Sequence, residues 1–499
     1  MKYFNINRRI CGAVLALIIV GTGCKKTFLD VNDDPNRATD ENMTAELIFP
    51  QAAHSVGARL ASGNLQFIQN WMGYMSASGD FSIQQDETSY NIDFSFGDVL
   101  WQNNYNVLFD LYLTKQKAIA VNDSVLAGAS MILSARLFQD MVDIYGSLPY
   151  SQAFQTNIYR QPVYDNGKDV YAALQKSLDT AITYMKATAR TTFKTIDVVN
   201  GGNKTLWTKF ANTLKLRMLI HQSEVPGFNP SAEIAKITSN GGVLQPGENI
   251  DVNPGYVNEV NKQSPFYATY GKTPTGAEAS TSTRANDYFV TLLSSTNDPR
   301  LERFYNAPAA GGSITGTVYG LAAGNPDGAH SSTMGPGVAN NASQNQWIFP
   351  AFESLFLEAE AKARGWIAGS AQTAYEAAVT ESFVFLKVPD SLNEAQDYID
   401  NVDIANWANA GSSALEQAKF ITYQKYIAVC GIDPVESWSD LRRLNMIPDK
   451  DYISVNPGRL ANNLPVRLLY PQSEYTTNGS NVRAQGTINQ FTSKIFWQP

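Results

Sequence analysis

Cysteine and histidine are scarce in this chain, with three of each in 499 residues. Cys11 and Cys24 sit near the N-terminus, so the rest of the chain carries Cys430 alone and has no intramolecular disulfide to form. A chain of this size can bury enough core without one. Cys430 closes the apolar run IAVC before Gly431 and reads as a small buried hydrophobe, not a nucleophile. His54, His221 and His330 are far apart, and there is no HExxH and no Cys/His cluster. That excludes the usual patterns of a catalytic zinc site and makes each histidine structural or superficial. No GxSxG elbow is present. Gly271-Lys272-Thr273 imitates the end of a P-loop, but Phe266 stands where its first glycine belongs. Asp30, Asn32 and Asp34 alternate like the start of a calcium loop, and Asn36-Arg37 fail to continue it. Neither a metal nor a cofactor is therefore expected. A paired-carboxylate glycosidase needs only two acids roughly 5–10 Å apart and leaves no pattern to read, so it stays as the weakest of three readings.

A basic surplus is also missing. There are 38 basic against 46 acidic residues. Taking away residues 1–23, which hold Lys2, Arg8 and Arg9 and no acid, leaves 35 against 46, a net charge of −11. Nucleic acid, whose binding rests on replacing counterions with Lys and Arg, is not an expected partner.

What is present begins at the N-terminus. Lys2, Arg8 and Arg9 precede the uncharged apolar run Cys11–Val20, too short for the roughly 20 residues of a membrane span and suited to a secretory signal. The small residues Gly21-Thr22-Gly23 end it, and Cys24 follows at once, where a bacterial lipoprotein carries its acylated cysteine. Gly21 stands where leucine is usual. The expected organisation is a signal peptide over 1–23, a lipidated Cys24 opening a polar tether over 24–43, and one domain over 44–499.

The domain reads as mainly α. Helices are expected to begin near Thr44 and to cover about 98–121, 124–145, 168–188, 204–223, 350–367, 371–386 and 413–429. Phe352, Leu355, Phe356, Ala359 and Ala363 share one helical face, as do Val170, Leu174, Leu178 and Ile182. Glu358 with Lys362 and Glu360 with Arg364 are spaced as i,i+4 pairs on the opposite face. Short links between successive helices suggest tetratricopeptide-like pairs, although no 34-residue period repeats cleanly. Residues 224–349 and much of 430–499 are rich in Gly, Asn, Pro, Ser and Thr, and predict long irregular loops with minor β structure laid on the helices. Binding groups usually sit on such loops.

Several segments, in order, resemble the SusD/RagB-like outer-membrane nutrient-binding lipoproteins, in their SusD-like branch. They are Cys24 with FLDVN and DPN, DIYGSLPYSQAF (143–154, with Ser147 in place of the usual acid), LWTKFANTLKLRMLIH (206–221), NDPRL (297–301), FESLFLEAEAKARGW (352–366), QKYIA (424–428), ESWSDLRRL (436–444) and LPVRLLYPQSEYTTN (464–478). Each also has a scaffold reading: Trp207, Phe210, Leu214 and Met218 have core spacing, and Asp440 can pair with Arg442 or Arg443. The resemblance implies a helical scaffold carrying ligand loops, no bond chemistry, and capture of an oligosaccharide at the outer face of the outer membrane. It also implies delivery to a SusC-like TonB-dependent transporter over which the lipoprotein closes as a lid. The same family includes oligopeptide importers, which makes a peptide the alternative ligand. Lys25-Lys26 departs from strongly acidic surface-export signals.

No motif fixes the ligand contacts. Aromatics in polar loops are the candidates, because a ring can stack on the apolar face of a sugar: Phe81, Tyr90, Tyr267, Tyr270 and Tyr319. Such rings also serve to anchor their own loops. Trp71 reads as core or pocket floor, and Trp101 with Tyr105, four apart on a helix, as a packed pair.

Overall fold

The computed structural model describes residues 42–448 and 452–499. The expected signal peptide, the lipid attachment at Cys24 and the tether as far as residue 41 lie outside the described residues. The unit described here is Ala45–Pro499.

Its framework is helical. In chain order the main helices are α1 (Ala45–Leu60), α2 (Asp98–Ala120), α3 (Ser124–Tyr145), α4 (Gly167–Met185), α5 (Lys204–His221), α6 (Ala351–Ala363), α7 (Ala371–Phe385), α8 (Ser391–Asn401), α9 (Ala414–Ala428) and α10 (Pro434–Leu444). Each of α1 to α7 packs on the next, so the chain builds by adding helices to a growing stack. α9 packs on α6, and α10 turns back to touch α3 and α5. The fold is mainly α, as expected. Side-chain caps fix the helix starts: Asp123 accepts from the Leu126 amide, Asn203 from Thr205 and Leu206, and Ser413 with Glu416 closes a capping box. Each such cap is worth about 1 kcal/mol.

The predicted stripes are buried. Val170, Leu174, Leu178 and Ile182 of α4 face the core, as do Phe352, Leu355, Phe356 and Ala359 of α6 and Trp207, Phe210, Leu214 and Met218 of α5. Trp71 is core, and the Trp101 and Tyr105 rings pack 5.0 Å apart. α3 is long and apolar enough to cross a membrane by composition, but it is buried at the centre of the stack. α6 stops four residues short of its expected end because Gly365 takes φ +71° and Trp366 N–H closes onto Ala361 O.

The loop-rich segments hold little sheet. β1 (Met75–Ala77) pairs antiparallel with β3 (Thr283–Ala285), Met75 opposite Ala285. β2 (Ile250–Val252) pairs with β4 (Gln346–Phe349), Ile250 opposite Phe349, with a register shift after Ile250. The second pair rests directly on α1: a Cβ on Gly57 would lie 2.6 Å from Val252 Cγ1, so the contact requires glycine. Of these ten main helices, two were not anticipated. α10 follows an Asp433 cap and has Pro434 in its first turn, start signals hidden among loop-type neighbours. α8 is polar along most of its length and buries only Ala395, Tyr398 and Ile399.

A buried ionic network ties α3, α5, α6, α9 and α10 together. Arg217 reaches Glu436 at 2.6 Å, Asp140 at 3.1 Å, Asp433 at 3.2 Å and Glu353 at 3.3 Å. Arg136 pairs with Asp140 and Asp433, and Lys425 with Glu436 at 2.6 Å and Asp440 at 2.7 Å. Arg443 holds both oxygens of Glu360 and also pairs with Asp440 at 2.8 Å. Arg442 instead donates to the backbone oxygens of Asp143 and Val466 and lies 4.0 Å over the Trp438 ring. Both expected i,i+4 pairs of α6 form, but Glu360 faces the interior, because Arg443 supplies the buried counter-charge that lets it.

The network makes stability depend on pH from both sides. Burial disfavours the His221 imidazolium, but the Asp143 and Glu436 carboxylates outweigh it and raise its pKa. A raised folded value means that this stabilisation is complete below the unfolded value of about 6.5 and is lost as pH rises through the folded one. The urea midpoint should therefore fall across that range, and His221→Gln should flatten the fall. Burial raises Glu360, while Arg443 and Arg364 overcome it and bring its pKa down to about 2. Its contribution is present above the unfolded value and disappears as pH falls towards about 2.

Candidate functional site

The family-like segments turn out to be internal. In LWTKFANTLKLR, Trp207 donates to Asp197 at 2.8 Å, Lys209 pairs with Glu248 at 2.6 Å, Asn212 donates to Gly242 O at 2.8 Å, and Lys215 pairs with Asp179 and with Glu233 at 2.9 Å. In NDPRL, Arg300 pairs with Asp298 at 2.6 Å and lies over the Phe383 and Tyr398 rings. In GSLPYS, the Tyr150 and Ser151 amides donate to Asp165. These bonds build the scaffold.

The loops that follow β1 and precede β3 do present something. Beyond the strand pair, Ser78 N–H donates to Ser282 O and Gly79 N–H to Pro326 O, both at 2.8 Å. Three segments, 78–81, 276–284 and 325–330, are thereby zipped together. Gly79 is needed there, since a Cβ would lie 2.2 Å from Asn325 O. The Asp80 carboxylate accepts from the Gly328 amide at 2.6 Å. Beneath them the buried Arg284 binds Glu278 at 2.9 Å and donates to Gly328 O and Thr283 O. Asn325 locks its own loop by bonding the Val318 amide and carbonyl. On this braced surface Phe81 is 43% exposed. Its neighbours in sequence, Asp80, Ser82 and Gln84, are exposed and polar. On the third segment, His330 and Asp327 pair at the surface at 2.7 Å, which holds the Asp327 carboxyl below its usual range. An exposed aromatic ring on a braced backbone, with hydroxyl, amide and carboxylate groups beside it in the chain, can stack on an apolar ligand face while the rim exchanges hydrogen bonds.

The other four candidates are placed differently. Tyr267 is half-buried and packs over Gly271, at the foot of the segment that runs into the Phe81 surface. Tyr270 is buried against Phe266, and burial raises its hydroxyl. Tyr90 is fully buried and accepts from the Ser454 amide at 2.7 Å, its pKa pushed up by burial to about 12. Tyr319 is buried and donates to Glu87 O at 3.2 Å. The expected exposure of Tyr90, Tyr270 and Tyr319 is thus corrected: each ring fills space under its own loop, and the hydroxyls of Tyr90 and Tyr319 satisfy backbone groups there. Cys430 is buried, with its thiol raised by burial. Among the described residues, no group of three or more His, Cys, Asp or Glu is arranged to hold a metal ion.

Sequence reasoning missed an aromatic cup of ≈ 400 Å³ between α2, α3 and the loop after α3, where Tyr112, Phe138, Tyr150 and Phe154 converge with Lys115. Its members are far apart in the chain and look like helix stripes one at a time, so only packing reveals the cup.

Comparison with known proteins places this architecture. No curated protein matches the chain. Among solved structures, a chitin-binding SusD homologue from Flavobacterium johnsoniae shares 22% identity, covering 90% of this chain and 98% of its own, with a TM-score of 0.73. A SusD homologue from Bacteroides fragilis shares 21%, covering 92% and 99%, also at 0.73. A SusD/RagB family protein from Bacteroides thetaiotaomicron shares 19%, covering 91% and 99%, again at 0.73. The SusD-like family model, described as starch-binding and associating with the outer membrane, matches residues 35–471. With most of its length matched and its shared motifs forming the scaffold core, this chain belongs to the SusD-like family.

Proposed function

We propose that this protein binds an oligosaccharide at the cell surface through the loop surface around Phe81 and passes it to a SusC-like TonB-dependent transporter, without catalysing any reaction. Lipidated Cys24 holds it at the outer membrane, where the body closes over the transporter as a lid. One observation carries the ligand reading: Phe81 is the candidate aromatic that stays exposed, on a backbone that three mutually bonded loops brace. Rigidity lowers the ordering cost of binding, and a ring beside polar groups matches the alternating faces of a pyranose. Family membership supports a nutrient ligand and an outer-membrane setting.

Titration calorimetry against malto-oligosaccharides, chito-oligosaccharides and oligopeptides tests the reading. Phe81→Ala should weaken oligosaccharide binding by about tenfold, the equivalent of about 1.4 kcal/mol, with no change in melting temperature. Binding of peptides alone would replace the carbohydrate reading. Turnover of a glycan that stops on mutating one carboxylate would make the protein an enzyme.

A further inference from the structure

We propose a second carbohydrate site, separate from the Phe81 surface, in the cavity between the β2–β4 strand pair and the C-terminal end of α7, shaped to take one or two neutral sugar units. The cavity measures ≈ 540 Å³, within the range of small-molecule sites. Its walls come from 247–251, 337–347 and 381–387, a different strand pair from the one that carries Phe81.

What distinguishes it is how its polar groups are held. Glu381 is 6% exposed; its Oε1 accepts from the Gly247 amide at 2.9 Å, and its Oε2 has no protein partner. Asn249 uses Oδ1 to accept from the Ala351 amide at 2.8 Å and leaves its Nδ2 donors unused. Asn341 does the same, Oδ1 accepting from the Ser343 amide at 3.0 Å. Asp251 accepts from Asn345 at 3.3 Å through Oδ2 and leaves Oδ1 without a partner. Each side chain is thus oriented by one half and offers the other half to the cavity. The rim is stiffened as well: Gln344 accepts from the Asn340 and Asn341 amides and donates to Val338 O. Trp347 and the half-buried Phe385 supply the apolar wall.

Fixed amide donors beside carboxyl acceptors, against an aromatic wall, suit hydroxyl groups, each of which gives and takes a hydrogen bond. The lining holds two carboxyl groups, both raised towards the neutral form by burial, and the exposed Lys387, so it carries little net charge to favour an ion of either sign.

The test uses maltose and N,N′-diacetylchitobiose as probes, followed by calorimetry and saturation-transfer NMR on the full chain. Phe81→Ala weakens the Phe81 event about tenfold and so takes it out of range for these short probes; the variant should still keep one binding event of about millimolar strength. Asn340→Trp places a ring across the rim and disturbs no side-chain hydrogen bond of Asn340, since none is formed. Added to Phe81→Ala, it should abolish the remaining event; alone, it should leave the Phe81 event intact. Glu381→Gln in the Phe81→Ala background should weaken the remaining event at least tenfold. Loss of all sugar binding on Phe81→Ala alone overturns the second site and leaves the proposed function standing. Equal binding by Phe81→Ala with and without Asn340→Trp also overturns it. If the wild-type chain binds neither probe, the second site is overturned as well, and the longer oligosaccharides then decide the proposed function.

Discussion

Arg217→Met should destabilise the fold by roughly 3–5 kcal/mol, enough to leave little soluble protein. The guanidinium is wholly buried and sits among Glu436, Asp140, Asp433 and Glu353, on three different helices and the turn before α10. Taking the cation away leaves carboxylates in a medium that cannot solvate them, and that uncompensated charge costs more than the intact pairs contribute. Glu353 sharpens the point. Burial and the nearby Asp433 already raise its pKa well above the usual carboxylate range despite Arg217. Loss of Arg217 would drive further proton uptake, so lowering the pH should restore more stability to the variant than it adds to the wild type. Lys236→Met is the control: this surface lysine pairs with Asp179 and Glu233 at 2.8 Å but is screened by solvent, and its loss should cost at most about 1 kcal/mol. Urea unfolding of the two variants measures the contrast. A cost below about 1 kcal/mol for Arg217→Met would mean that the network is not what joins the helices.

Cys24→Ala should move the protein from the membrane to the soluble fraction. One acyl chain of myristoyl length holds a protein only marginally, with a partition constant near about 10⁴ M⁻¹, whereas several chains at about 0.8 kcal/mol per buried CH₂ hold it stably. Among the described residues, α3 is the one helix long and apolar enough by composition to cross a membrane, and it is buried. Fractionation of cells expressing the two forms reads the result directly. A Cys24→Ala protein that is cleaved and still membrane-bound would refute the lipid anchor.

The two results concern opposite ends of what can be read from a linear chain. Helix positions were legible because burial on one side of a helix imposes a 3.6-residue period, and Val170, Leu174, Leu178 and Ile182 display it plainly. α8 and α10 escaped because their helical faces are short and mostly polar, so the period is drowned by cap and charge residues. Glu360 shows the same limit. Its spacing from Arg364 was correct, but its burial depends on Arg443, 83 residues further along. The charged residues of ESWSDLRRL read locally as a pair of Asp440 with Arg442 or Arg443 within one turn; in the fold Arg443 is the partner, and Glu436, Asp440, Arg442 and Arg443 are all interior.

The candidate site divides along the same line. That aromatics would lie in polar loops was visible in the composition, and the family of the chain was visible in the order of its motifs. Which ring would face solvent was not. Tyr90 and Tyr319 lie in loop sequences no different in kind from that of Phe81, yet both are buried, each bonded to backbone that a distant segment supplies. Alone, then, the sequence determined a mainly α SusD-like scaffold, because periodicity and caps act within a few residues. Tertiary structure decided which charges were paired inside, which aromatic stayed outside and where cavities formed, because each depends on contacts between residues tens to hundreds of positions apart.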